Sequence, residues 1–93
     1  MAEVLQETQV KEMASEVPDW KVEGKELKQV MKFKDFVTAM DFVNKLIEPA
    51  EAAGHHPDIA ISYNTVTISL TSHDAGGLTE KDFAMAKQIS SLK

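Results

Sequence analysis

The sequence predicts an α+β domain: a four-stranded antiparallel sheet with three helices on one face, in the order α-β-β-α-β-β-α. Three observations predict it. Residues 58–73 hold two runs of alternating apolar and polar residues around a short polar pair. Residues 35–53 carry an apolar stripe at helical spacing. The chain has 93 residues, the length of one compact domain, with no repeat, low-complexity segment or linker to divide it.

Residues 3–16 read as the first helix, with Leu5, Val10, Met13 and Val17 at loosely helical spacing, broken by Pro18 and Asp19. Residues 20–23 and 26–33 read as two strands around Gly24. Alternation shows in Leu27, Gln29, Met31 and Phe33, and Val30 interrupts it. Residues 35–53 read as one amphipathic helix with Phe36, Met40, Val43, Ile47 and Ala50 on its core face. Pro49 bends it late or shortens it, and Gly54 stops it. Ile59, Ile61 and Tyr63 alternate with Ala60 and Ser62. After the turn pair Asn64-Thr65, Val66, Ile68 and Leu70 alternate with Thr67, Ser69 and Thr71. The two runs read as a hairpin with one buried face. Gly76-Gly77 is a loop, and it lacks the strand–helix context and the lysine of a phosphate-binding loop. Thr79 stands three residues before Asp82, a capping-box-like start for a last helix with Phe83, Ala86 and Ile89 on its apolar face.

Composition excludes several function classes. The formal net charge is -5, which disfavours a nucleic-acid groove but not a neutral small ligand. The chain has no cysteine, so neither a disulfide nor a thiolate metal site is available, and a cytoplasmic setting fits. No apolar run approaches the roughly 20 residues that span a bilayer, and residues 1–11 do not read as a secretory signal. A chain this short buries a modest core, so self-association or pairing of an open sheet edge with a second copy is expected.

The chemistry rests on three histidines, all the chain has. His55 and His56 stand at the mouth of one strand and His73 at the end of the next. A hairpin over residues 58–73 sets its open ends side by side, so the three imidazoles are expected on one rim, with Glu51 one helical turn before His55. Imidazole has an unperturbed pKa of about 6.5, suited to giving one proton and taking another near neutrality. Pro57 holds His56 extended. Each residue also has a plainer reading. A single surface histidine is usually solvated. Three histidines can bind zinc, although neighbours on an extended segment point to opposite sides and His55 and His56 would not easily share one ion. Asp82 serves most simply as a helix cap; as a carboxylate near His73 it could instead orient an imidazole or bind a ring amine. Glu51 could be solvated, and Trp20 and Tyr63 read as core or rim aromatics.

Glu51-Ala52-Ala53-Gly54-His55-His56-Pro57, followed by Tyr63, His73 and Asp82, resembles the signature of the pterin-4a-carbinolamine dehydratases. That family is also known as the dimerisation cofactor of a homeodomain transcription factor. Trp20-Lys21-Val22-Glu23-Gly24, Phe33-Lys34-Asp35-Phe36 and the run from His73 to Asp82 are similar as well, so the resemblance extends from about Val17 to the end. It implies the architecture read above and dimers with a sheet continued across subunits, often paired into tetramers through helices. The implied reaction is dehydration of a 4a-hydroxytetrahydropterin to quinonoid dihydropterin, which serves aromatic amino-acid hydroxylases, with no metal or organic cofactor. The resemblance makes His55 and His73 the acid/base pair and His56 a substrate-binding group that assists proton transfer. It makes Glu51, Pro57, Tyr63, Ser72 and Asp82 substrate-binding or supporting residues. Gly54 departs from an acidic residue and Ile59 from a tryptophan in animal members, and Asp58-Ile59 resembles bacterial-type members. A second function class is a non-catalytic binding module, as in animal members that bind a transcription factor; its basis here is the apolar stripe of residues 83–92.

Overall fold

The computed structural model describes residues 3–93. Its elements are α1 (Glu7–Ala14), β1 (Lys21–Glu23), β2 (Glu26–Lys32), α2 (Phe36–Lys45), α3 (Ile47–Ala53), β3 (Asp58–Ser62), β4 (Thr65–Leu70) and α4 (Glu80–Ser91). The strands form one antiparallel sheet in the order β1-β2-β4-β3. The expected α+β architecture is present. The middle helix is divided: α2 and α3 are consecutive segments that meet at Leu46. Pro49 supplies the reason. It has no N–H to donate to the Lys45 carbonyl, and its ring crowds that carbonyl, so the helix is interrupted one turn earlier.

Burial follows strand register. Leu27, Gln29 and Met31 of β2 lie across from Leu70, Ile68 and Val66 of β4, and all six side chains are buried under the helices. Val30, which interrupts the alternation in the sequence, projects from the opposite, open face and is 61% exposed. Phe83, Met85, Ala86 and Ile89 of α4 complete the core with Trp20, whose indole Nε1 donates to Ser90 Oγ at 3.0 Å. The apolar stripe of the last helix is therefore used within the chain.

Four expectations change in detail. α1 is shorter than residues 3–16, because Leu5 donates to the Leu78 carbonyl (2.8 Å) and residues 3–6 run non-helically beside that loop. The buried face of α2–α3 is Ala39, Phe42, Leu46 and Ala50, whereas Phe36 and Ile47 are exposed. The hairpin turn is Tyr63-Asn64, one residue earlier than read, since Ser62 pairs with Thr65. Tyr63 sits there with φ 53° and an exposed ring. The β3 half of the hairpin is not buried. Ile59 and Ile61 lie across from Ile68 and Val66, on the same sheet face, yet they remain 39% and 36% exposed. The helical layer stops short of this edge strand.

Asp35 caps α2, accepting from the Thr38 hydroxyl (2.7 Å) and the Thr38 N–H (2.8 Å). The Thr38 side-chain hydrogen bond foremost, then the backbone one, hold its pKa below the ordinary 3.8; desolvation opposes them, and the charge of Lys34 adds a lesser lowering.

Gln29 is buried and its Oε1 has no hydrogen-bond partner. Gln29→Met keeps the shape and removes that acceptor, and is expected to raise unfolding free energy by about 1 kcal/mol in urea titration. A carboxyl whose folded pKa lies below its unfolded value stabilises fully above about pH 4 and loses that contribution as pH falls through the folded value. The stability difference between the parent protein and Asp35→Ala should therefore be larger at neutral pH than at about pH 3, measured by denaturant unfolding at both.

Candidate active site

The first part of the site is built by the end of α3. Gly54 adopts φ 61°, the left-handed conformation that glycine takes without penalty. Its N–H donates to the Glu51 carbonyl and that of His55 to the Ala50 carbonyl (3.3 and 3.1 Å). These two bonds form a Schellman closure, which ends the helix and turns the chain toward β3. His55 and His56 leave it in opposite directions. His56 Nε2 meets Glu51 Oε2 at 2.6 Å on the surface. His55 Nε2 meets Asp82 Oδ1 at 2.6 Å, with its side chain only 12% exposed.

The second part is built by the start of α4. Thr79 and Asp82 form the capping box that the sequence indicates: Thr79 Oγ1 accepts from the Lys81 N–H (3.2 Å), and Asp82 Oδ2 accepts from the Thr79 N–H (2.9 Å). Asp82 is also fully buried, and Ser72 Oγ donates to its Oδ2 at 2.9 Å. Ser72 has a single hydroxyl proton, so at its 2.9 Å contact with Thr79 Oγ1 it accepts. The direction of the chain follows: Thr79 hydroxyl to Ser72 hydroxyl to Asp82 carboxylate. Of the four buried polar residues among those described, Ser72, Thr79 and Asp82 are joined in this network, and only Gln29 lies outside it.

Asp82 thus does both things weighed from the sequence, with a different imidazole. It caps α4 and orients His55, and no hydrogen bond joins it to His73 among the described residues. A carboxylate accepts, so His55 Nε2 donates and the neutral ring carries its proton there. Nδ1 then holds the free lone pair, and no protein hydrogen bond reaches it among the described residues.

His73 follows Ser72 directly and is exposed. The Ser72 carbonyl accepts from the Ala75 and Gly76 N–H groups (both 3.0 Å) and the Gly77 N–H (3.4 Å), closing the turn that carries His73. Lys25, Glu26, Thr71, His73, Gly76 and Gly77 line one shallow recess. The β3–β4 register, continued past its last pair Asp58↔Ser69, sets His55 opposite Ser72, and Asp82 touches both. His55 and His73 therefore share one end of the sheet. No hydrogen bond links the three rings to one another among the described residues. Tyr63 stands at the hairpin tip, on the far side of five strand residues that span about 17 Å, so within the chain it does not join them.

An apolar recess of about 320 Å³ lies between α2–α3 and the β3 edge, lined by Val43, Leu46, Ile47, Pro57 and Ile59, with Glu51 and His56 at its rim. Its volume is at the lower end of that of small-ligand sites. In the sequence Val43 reads as core and Ile59 as a strand residue, and the departure at Ile59 is the one local signal of this recess. Among the described residues, no group of three or more His, Cys, Asp or Glu is arranged to hold a metal; His55 and His56 pair with two different carboxylates.

Residues 3–92 match the sequence profile of the family described as "Pterin 4 alpha carbinolamine dehydratase". The chain is 63% identical over 92 residues to a Cyanothece sp. relative named for that dehydratase, covering 99% of this chain and 95% of the relative. It is 55% identical over 92 residues to a Nostoc sp. relative of the same name, covering 99% of each. A crystal structure titled transcriptional coactivator/pterin dehydratase, from Brucella melitensis, superposes with a TM-score of 0.91 at 33% identity, over 97% of this chain and 98% of that one. A pterin dehydratase-like protein described as a RuBisCO assembly factor in the alpha-carboxysome superposes with a TM-score of 0.67 at 26% identity, over 80% of this chain and 88% of that one. A profile match over nearly the whole length, with relatives well above 30% identity, shows that this chain belongs to the pterin-4a-carbinolamine dehydratase family.

Proposed function

We propose that the protein dehydrates a 4a-hydroxytetrahydropterin to quinonoid dihydropterin by histidine acid–base catalysis. The observation that carries this reading is the buried Asp82–His55 pair, which leaves one imidazole nitrogen oriented and free to exchange a proton. In the reaction the C4a–O bond breaks and the oxygen leaves as water once it receives a proton. The ring nitrogen beside C4a gives up its proton as its lone pair forms the new double bond. One proton enters, one leaves, and nothing is oxidised or reduced. His55, with Nδ1 free, is the base, and His73 at the same sheet end is the acid. The Val43–Ile59 recess, which His56 and Glu51 rim but neither His55 nor His73 lines, would take an apolar part of the substrate beside the reacting ring. No metal or organic cofactor enters this scheme. Tetrahydrobiopterin-type cofactor recycling in the cytosol, downstream of an aromatic amino-acid hydroxylase, is the setting the reading implies.

We further propose that the chain acts as a dimer or tetramer. The support is the open β3 edge with the half-exposed Ile59 and Ile61 beside it. A binding role without catalysis is the second reading, favoured by the structural neighbour described as a RuBisCO assembly factor. Its sequence basis is weakened, because the apolar residues Phe83, Met85, Ala86 and Ile89 of α4 are buried in the chain's own core.

Purified protein should accelerate quinonoid dihydropterin formation after a hydroxylase turnover, followed by absorbance. His55→Ala and His73→Ala should each lower the rate by about 100-fold or more; unchanged rates in both variants would remove the acid–base assignment. Light scattering should give a mass at least twice that of the chain, and Ile61→Lys on the β3 edge should lower it, leaving a monomer if this edge forms the contact.

A further inference from the structure

Ser72 occupies a junction that the capping box and the histidine pattern do not explain. Its side chain is buried, and its hydroxyl donates to Asp82 Oδ2 at 2.9 Å while accepting from Thr79. Its main chain closes the following turn: it pairs with Gly77 in an isolated bridge, and its carbonyl gathers the N–H groups of Ala75, Gly76 and Gly77. That turn begins with His73. One residue is therefore attached by its side chain to the carboxylate that holds His55 and by its backbone to the turn that holds His73.

We propose that Ser72 is a positioning residue for the dehydration. Its hydroxyl aims the Asp82 carboxylate at His55 and ties the His73 turn to α4, so the relative placement of the two imidazoles is set through it. This rests on the reading that His55 and His73 exchange protons with the substrate. The physical basis is geometric. Asp82 Oδ2 is held by two donors, the Ser72 hydroxyl and the Thr79 N–H, which leaves Oδ1 directed at His55 Nε2. With one donor removed, the carboxylate can pivot about its last bond, and the His73 turn loses its side-chain tie to α4. His56 is held by Glu51 on another helix and is not part of this linkage.

The test uses the full chain with Ser72→Ala, Ser72→Thr and, as a control for loss of an ordinary hydroxyl contact, Ser90→Ala, which takes away the partner of Trp20. Ring nitrogen resonances of all three histidines are recorded by NMR at one fixed pH, beside the dehydration kinetics. Ser72→Ala is expected to move the His55 and His73 resonances, leave those of His56 in place, and lower kcat about tenfold with KM changed less than about twofold. Ser72→Thr, which keeps the hydroxyl, should recover most of both, and Ser90→Ala should move none of the three rings. Unmoved His55 and His73 rings in Ser72→Ala would overturn the proposal, as would an increase in KM with kcat retained. If Ser72→Ala does not fold, Ser72→Cys, similar in size with a weaker donor, is read by the same criteria. Ring shifts as expected in a protein with no dehydratase activity would refute the functional reading and uphold the linkage. Full activity with unmoved rings would do the reverse.

Discussion

The structure depends on one buried carboxylate. Asp82 has no solvent exposure and takes three hydrogen bonds, from His55, Ser72 and the Thr79 N–H. A buried charge is tolerated only where its lone pairs are filled, and removing one partner of such a pair typically costs about 3–5 kcal/mol. The three donors come from three places in the chain: the exit of α3, the residues just after β4 and the N-cap of α4. Satisfying the carboxylate therefore draws these segments together. The same contacts that make the charge tolerable present a histidine with a defined proton position. A capping residue on an exposed helix could be exchanged for serine or asparagine; here the burial and the imidazole make the carboxylate specific.

The helical layer gives the site its second feature. Pro49 divides what would otherwise be one long helix, and α3 ends in the left-handed turn at Gly54. The chain then enters β3 at an edge that the helices do not cover, leaving Ile59 and Ile61 half-exposed on the face that is buried in β4. An apolar recess beside polar groups is the usual form of a small-ligand site, and an open edge strand is the usual form of a pairing surface. Both arise from the same shortfall of helix over sheet. The apolar face of α4 is consumed internally, whereas Val30, Phe36, Val37, Ile47 and Tyr63 stay exposed elsewhere on the chain.

The fold alone does not decide between chemistry and scaffolding. One neighbour of similar architecture is described as a RuBisCO assembly factor, and another as transcriptional coactivator/pterin dehydratase. Function is carried by the residues placed on the architecture. In this chain the proposed chemistry rests on His55 backed by a buried carboxylate, His73 on a turn closed by its neighbour Ser72, and His56 paired with Glu51 at the rim of the recess.

The amino-acid sequence by itself determined the element order, because period-two runs, an amphipathic stripe and the Thr79–Asp82 spacing are local signals that tertiary contacts reinforce here. It also determined that the residues before β3 and those after β4, His55 and His73 among them, lie at one end of the sheet, which follows from hairpin pairing alone. Three matters were settled only by the packed structure. The core face of α2 is Ala39–Phe42–Leu46 and not the stripe starting at Phe36, because a helix with apolar residues on more than one side has its rotation chosen by the sheet it meets. The hairpin turns at Tyr63-Asn64 because register is fixed by both strands together, and a polar pair marks a turn only to within a residue. Asp82 holds His55 and not His73, a choice between residues far apart in sequence that depends on where α4 docks. Local periodicity names the elements and the groups that can exchange protons; which carboxylate faces which ring is a three-dimensional distance, and only the closed fold sets it.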